Sequence, residues 1–379
     1  MTESAAPTSL RSTLADPKAA RTLLSNARRV IIKIGSRLLA TRPTLISELA
    51  QQLSAPTHPN GRDFLIVSSG AIALGWAKLG YPKRPTQMDK LQASAAVGQS
   101  ELMFRYVTEF ALHGKTAAQV LLTHSDLASR RRLLNAQQAL DALFAAGAIP
   151  IVNENDTVST DEIAFGDNDQ LASMVCSLTS ADALFLLTDV AGVLDPDGKR
   201  IPLMVTESVV GDRPNANSFG TGGIGSKIGA ARKATRSGAS VVIASAAEDN
   251  VISRLLQGED LGTLFTPDPN ALKARKHWIA YTLRPRGVIL INDGAAAVLR
   301  AGTSSLLPVG VLGVRGQFSA NEAVQLCTTD GTEVARGLSR MGVSEIARVA
   351  GKPKEELTER LGLTDTIVVH IDDLVVSST

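Results

Sequence analysis

Between Val30 and Ala244, short apolar strands alternate with helical patterns, and this alternation constrains the fold more than any other feature of the chain. Strands are predicted at Val30 to Ile34, Phe64 to Val67, Ala117 to Leu122, Ile149 to Val152, Ala183 to Leu187 and Val241 to Ala244. They are short, mostly apolar runs, and the first of them is β-branched. Helical spacing lies between them: over 88–112, over Arg131 to Ala146 ahead of Gly147, and at Leu171, Met174, Val175 and Leu178. Strands joined through helices pair in parallel, so an α/β layer structure is expected.

Several strands end in glycine-rich turns. Val30 to Ile34 carries Lys33 and runs into Gly35-Ser36, and Phe64 to Val67 runs into Ser68-Ser69-Gly70-Ala71. A strand, glycine, helix junction aims free backbone N–H groups at whatever sits above the strand, which suits an anion. Taken singly, such a glycine also serves a tight βα turn. The densest cluster, Phe219 to Lys227, precedes a helix expected from Ile228 to about Ser237. Its Gly220, Gly222 and Gly225 have dinucleotide-fingerprint spacing, but the polar residues Pro214 to Ser218 stand where that motif needs a strand. A Walker A loop is excluded too, because the only Gly-Lys-Thr, at Gly114 to Thr116, has Glu109 where the motif needs its first glycine. What remains is a glycine loop ending in a lysine at a helix start, a plausible phosphate cradle.

The stretch Ala148 to Gln170 follows the strand Ile149 to Val152 with a polar loop holding Glu154, Asp156, Asp161, Glu162, Asp167 and Asp169 among Asn153, Asn155 and Asn168. Alone it would pass for a solvated turn. Placed between a buried strand and a buried helix, it sits where open α/β sheets bind ligands. Two lysines at glycine-rich turns, Lys33 and Lys227, and an acidic loop without a nucleophile fit phosphoryl transfer, which needs positioning and charge cancellation more than covalent chemistry. Carboxylates in the loop suggest an acceptor carrying an ammonium group.

The 39 lysines and arginines against 37 aspartates and glutamates leave a net charge of +2, too small for bulk attraction to nucleic acid or membrane. Cys176 and Cys327 are far apart and read as core residues. The five histidines show no metal-ligand spacing. No stretch has the apolar length of a membrane span, and a cytoplasmic location is expected. Pro267, Pro269 and Pro285 punctuate a basic segment, where a domain boundary is placed. Beyond it, strand patterns at Val288 to Ile291, Gly310 to Val314, Ala323 to Cys327, Val334 to Gly337 and Thr366 to His370 predict a small β-rich domain, with helices at Ala295 to Arg300 and Ser344 to Ala350.

In order along residues 28–265, the segments KIGS, SSGAIALG, NENDTV, FGDND, LLTDVAGV and GTGGIGSK resemble the amino acid kinase family. The NEND and GDND pair, with the later GVILINDGAAAVLRAGTSSLLPVGV, is similar to the branch of that family acting on the side-chain carboxylate of L-glutamate at the start of proline biosynthesis. The resemblance implies a three-layer α/β/α sandwich with a mainly parallel sheet, ATP as co-substrate, Mg²⁺, and glutamyl 5-phosphate as product. By the same resemblance Lys33 and Lys227 stabilise the transferring phosphoryl and Asp169 organises them, while Ser69, Asn153, Asp156, Asp167 and Asn168 hold glutamate. Lys33, Thr188, Asp189, Thr221, Gly222, Gly223, Ile224, Gly225, Ser226 and Lys227 would contact ATP; no metal ligand is assigned. Proline as an inhibitor at an overlapping site, a homo-oligomer (dimer or tetramer) and the next enzyme of the pathway are the further partners implied.

The last hundred residues resemble a PUA domain, a module of RNA-modifying enzymes. From Arg284 onward, 10 lysines and arginines face 11 aspartates and glutamates, a net of −1, which speaks against binding a phosphate backbone. Related kinases of the family act on N-acetylglutamate, aspartate, carbamate or UMP, and the acidic loop argues against a phosphorylated acceptor. The expected layout is a mobile extension at 1–26, a kinase domain at 27–275, a linker at 276–283 and a PUA-like domain at 284–376. In the turn Phe318 to Glu322, Asn321 replaces a family glycine, and asparagine tolerates the left-handed conformation required there.

Overall fold

The structure, a computed structural model, describes residues 16–55, 61–158, 168–205, 223–269, 271, 276, 279, 283–353, 356–358 and 366–377. The chain divides into two compact units, Met1–Ala271 and Leu272–Thr379.

In the first unit, α1 (Pro17–Asn26) leads into β1 (Arg29–Ile34), α2 (Ser36–Thr41), α3 (Leu45–Ser54), β2 (Asp63–Ser68), α4 (Ala71–Gly75) and the long α5 (Met88–Ala111). The chain continues through β3 (Ala117–Leu122), α6 (His124–Ala128), α7 (Arg130–Ala145), β4 (Ile149–Glu154), α8 (Asn168–Leu178) and β5 (Ala183–Thr188). It closes with β6 (Leu203–Met204), α9 (Ile224–Thr235), β7 (Ser240–Ser245), α10 (Val251–Leu256) and β8 (Thr263–Phe265). The strands form an eight-stranded sheet in the order β3-β4-β2-β1-β5-β7-β8-β6. From β3 to β7 every neighbour pairs in parallel; β8 runs antiparallel to β7, and β6 lies parallel to β8.

Side-chain alternation along the strands builds a core on each face. Val30, Ile32, Phe64, Ile66, Phe185 and Val242 pack with α1, α3, α5 and α10, whereas Ile31, Leu65, Val67, Leu184, Leu186 and Val241 pack with α7, α8 and α9. The result is the three-layer sandwich that the alternation of strands and helices implies. After β1 the chain builds outward on one side to β2, β4 and β3, then returns to place β5 on the other side of β1. Ligands bind outside the carboxyl ends of strands at such a reversal.

One packing contact fixes where α5 lies. A Cβ on Gly98 would stand 1.7 Å from the Ala71 carbonyl oxygen, and one on Gly75 would stand 1.8 Å from that of Ser94. Glycine at both positions lets the backbones of α4 and α5 touch, and side chains beside Gly98 are carried over the end of the sheet.

Three expectations change. Residues 17–26 belong to the expected mobile extension but form α1, started by Asp16, whose carboxylate accepts from the backbone N–H groups of Lys18 and Ala19, and by Pro17 in the first turn. The buried Arg21 guanidinium then donates to the carbonyls of Pro202, Glu259, Leu261 and Gly262 and pairs with Asp260 at 2.8 Å. These partners are remote in sequence, so the composition of the segment carries no sign of them. Second, α9 begins at Ile224 and not at Ile228, so the end of the glycine cluster is helix. Third, the last strand is β13 (Val369–Val376), downstream of the expected Thr366 to His370; Asp372-Asp373 reads as a strand end, but pairing with the preceding strand carries the chain through it.

The second unit contains β9 (Gly287–Ile291), α11 (Asp293–Arg300), β10 (Val311–Gly316), β11 (Ala323–Cys327), β12 (Glu333–Ser339), α12 (Val343–Val349) and β13. Its sheet runs β10-β9-β11-β12-β13, with β9 and β11 parallel and the other pairs antiparallel. Ile289, Ile291, Leu299, Val324, Leu326, Ile346 and Val369 form its core. Asn321 takes φ 68°, the left-handed conformation expected of it. Cys176 and Cys327 are buried free thiols, each a core residue of its own unit.

Candidate active site

Four parallel strands, β4, β2, β1 and β5, end side by side, and the sequence places Asn153, Ser68, Lys33 and Thr188 at those ends. Lys33 projects to the face of the sheet covered by α8. Asn168 and Asp169, expected in the loop, lie in the first turn of α8; an acidic side chain is favourable there because the helix N-terminus is the positive end of its dipole.

Asp169 gathers two cations. Its Oδ1 lies 2.5 Å from Lys33 Nζ and its Oδ2 lies 3.0 Å from Lys227 Nζ, with the Ser226 hydroxyl 3.5 Å from Oδ2. The side chains of Lys33, Asp169 and Lys227 are 7%, 4% and 12% exposed. One carboxylate therefore holds two ammonium groups in a largely water-excluded place, and the three side chains sum to +1. In a low dielectric that excess charge is an attraction for an anion, and the pairing with Asp169 keeps both ammonium groups aimed before it arrives. Lys227 reaches the site from the first turn of α9, behind Gly223 at φ 92°.

A second cluster adjoins. The Asn168 carboxamide shares its two hydrogens among the Ser69 hydroxyl at 2.7 Å, the Ser68 carbonyl at 2.9 Å and Asn153 Oδ1 at 3.0 Å. Asn153 Oδ1 also accepts from the Glu154 backbone N–H, and Asn153 Nδ2 donates to Gln99 Oε1 at 2.8 Å. Ser68 shares a 3.0 Å hydrogen bond with the buried Tyr106 hydroxyl, whose pKa burial raises. Ser69, Asn153 and Asn168 are thus brought together as expected. Asp156, in the turn after β4, is half-buried, and burial pushes its carboxyl up to about 6 from an ordinary 3.8, with Arg84 pulling the other way.

At the end of β5, Thr188 donates to Asp189 Oδ1, and Asp189 pairs with Arg37 at 3.2 Å. The Asp189 carboxyl is held below its usual range by its own backbone N–H, by Thr188 and by Arg37. Gly223, Ile224, Gly225 and Ser226 belong to the start of α9. Asp167, Thr221 and Gly222 lie outside the described residues. Gln99, Tyr106, Arg84 and Arg37 escaped the sequence reading: each is a lone polar residue without a motif around it.

A family model described as the amino acid kinase family matches residues 28–245, more than half of the chain. The chain belongs to the amino acid kinase family. It is a kinase, and its mainly parallel sheet covered by helices is this chain's form of the amino acid kinase fold. A PUA domain model matches residues 287–361, within the second unit. Similar proteins run nearly the full length. A glutamate 5-kinase of Chromohalobacter salexigens is 45% identical over 372 residues, covering 94% of this chain and 98% of the relative. One of Pelobacter propionicus is 42% identical over 373 residues, with 94% and 99% covered. One of Thioalkalivibrio sulfidiphilus is 44% identical over 370 residues, with 94% and 98% covered.

Proposed function

We propose that this amino acid kinase transfers the γ-phosphoryl of ATP to the side-chain carboxylate of L-glutamate, giving L-glutamyl 5-phosphate for proline biosynthesis. The observation that carries the reading is the pair of ammonium groups held on Asp169 beside the Ser69, Asn153 and Asn168 cluster. Lys33 and Lys227 offset charge on the transferring phosphoryl, and Asp169 keeps them apart and aimed. Asn153, Asn168 and Ser69, with Asp167, bind the acceptor, and the ionised Asp156 takes its ammonium group. Thr188, Asp189 and residues 221–227 hold the nucleotide. The names of the similar proteins support glutamate as the acceptor.

Among the described residues no group of three or more His, Cys, Asp or Glu side chains is placed to hold a metal ion, and both oxygens of Asp169 are engaged by ammonium groups. These residues do not build a protein-coordinated Mg²⁺ site; Mg²⁺ fits here as the complex it forms with nucleotide phosphates. Proline inhibits by competing for the same carboxamide cluster. The protein works as a homo-oligomer in the cytoplasm, and a second copy would cover the exposed Phe104, Val107 and Leu112 at the end of α5. Among the described residues no helix is long and apolar enough to cross a membrane. The kinase domain is assigned to 27–275, with α1 packed onto it as an added first element, and a linker and the PUA-like domain follow.

The test is ADP release with Mg-ATP and, separately, L-glutamate, N-acetylglutamate, L-aspartate, carbamate and UMP, with hydroxylamine present to trap an acyl phosphate. Glutamate-dependent turnover with hydroxamate formation is the expected result; preference for another acceptor sinks the glutamate reading.

A further inference from the structure

Gln99 lies on α5, next to Gly98, and hydrogen-bonds to Asn153 and to Gln119. It is 9% exposed, within a chain of side-chain amides whose direction is fixed at the site end by backbone groups. The Glu154 N–H, which can only donate, points at Asn153 Oδ1 at 2.9 Å, and the Ser68 carbonyl, which can only accept, receives Asn168 Nδ2 at 2.9 Å. Asn153 must therefore turn its NH₂ away from Asn168. The atom that meets it is Gln99 Oε1 at 2.8 Å, and Gln99 Nε2 in turn donates to Gln119 Oε1 at 3.1 Å on β3. If Gln99 offered no acceptor, a buried N–H of Asn153 would lose its partner, and the Asn153 amide could relieve this by rotating. Rotation would take Oδ1 from Asn168, which lies 2.7 Å from Ser69.

We infer that Gln99 is a positioning residue: its carbonyl oxygen fixes the Asn153 amide, and through it Asn168 and Ser69, in the orientation that binds the acceptor. This rests on the function proposed above, in which Asn153, Asn168 and Ser69 face the acceptor. The close approach at Gly98 serves the same end, since it seats the neighbouring Gln99 at hydrogen-bond distance from the sheet.

The test compares Gln99→Met, which keeps the length but offers no strong acceptor, with Gln99→Glu, whose carboxyl oxygen still accepts from Asn153. Both are assayed with whichever acceptor the wild-type enzyme uses in the panel above, so failure of the glutamate reading is scored on wild type and failure of the relay on the variants. Gln99→Met raises the acceptor KM about tenfold, the loss of one buried hydrogen bond, with the ATP KM within about twofold of wild type. Gln99→Glu restores the acceptor KM. In an Asn153→Ala background Gln99→Met has no further effect on that KM. A second readout needs no turnover: the side-chain amide protons of Asn168 exchange slowly in wild type and Gln99→Glu and faster in Gln99→Met. Equal rises in both KM values, full additivity with Asn153→Ala, or equal exchange in all three proteins overturns the inference.

Discussion

Asp156 sets binding against stability within one side chain. Its carboxyl titrates near 6 when folded and near the ordinary 3.8 when unfolded, because burial disfavours the charged form. Between those values the folded protein holds the extra proton, so stability falls as pH rises through the window and the deficit is complete above about 6. Acceptor binding runs the other way, since an ammonium group is attracted to the ionised form. The acceptor KM of wild type should therefore fall as pH is raised through about 6. Asp156→Asn should lose that inflection, show a higher acceptor KM at pH 7.5 with little change for ATP, and melt at a higher temperature than wild type at pH 7.5 but not at pH 4. A lower melting temperature at both pH values would contradict the burial argument. In the sequence Asp156 and Asp169 stand out in a polar break between apolar runs, Lys227 at the end of a glycine cluster and Lys33 as a charge inside an apolar strand, which makes them candidates for the roles proposed above. The sequence did not disclose Gln99, since a glutamine within a 24-residue helix looks like any solvated position until strands β3 and β4 bring Gln119 and Asn153 to it.

At the scale of elements, the six longer strands of the kinase unit were legible as short apolar runs and their limits moved by a residue or two, whereas the short strands β6 and β8 escaped and the end of β13 moved by six residues. Helix starts were less legible. The first turns of α8 and α9 are made of Asn168-Asp169 and Ile224 to Lys227, residues whose composition suits a loop equally well. Helix α1 was hidden altogether, since its stability comes from Arg21 and from remote acceptors more than from propensity. The seam between α4 and α5 gives the sharpest prediction at this scale. Gly98→Ala places a methyl group against the Ala71 carbonyl and forces the helices apart, at about 3 kcal/mol or more. A fall of several degrees in Tm should accompany it. The acceptor KM should rise as well, because Gln99 moves with the helix; an unchanged Tm would show that the seam yields easily.

Over the whole molecule, charge separates catalysis on small substrates from binding to nucleic acid. The residues from Arg284 onward net −1, and the full chain nets +2. Affinity for a phosphate backbone needs clustered positive charge and declines with salt. The intact protein should show no salt-dependent binding to single- or double-stranded RNA in fluorescence anisotropy between about 50 and 200 mM salt, the range in which counterion release is pronounced. A steep salt slope would assign the PUA-like unit a role in RNA recognition instead. The proline-punctuated basic segment is where the sequence itself suggests a boundary, since domain boundaries fall in such stretches. The Arg21 clasp has a consequence of another kind. Its acceptors lie between 181 and 241 residues downstream, so during synthesis the first helix emerges long before the carbonyls that hold it exist. At ribosomal speeds of about 5–20 residues per second, α1 waits on the order of 10–50 s with its future partners unmade. Helix α1 is thus among the last elements to lock, and a nascent protein halted before residue 260 would carry it unclasped, open to chaperones and proteases.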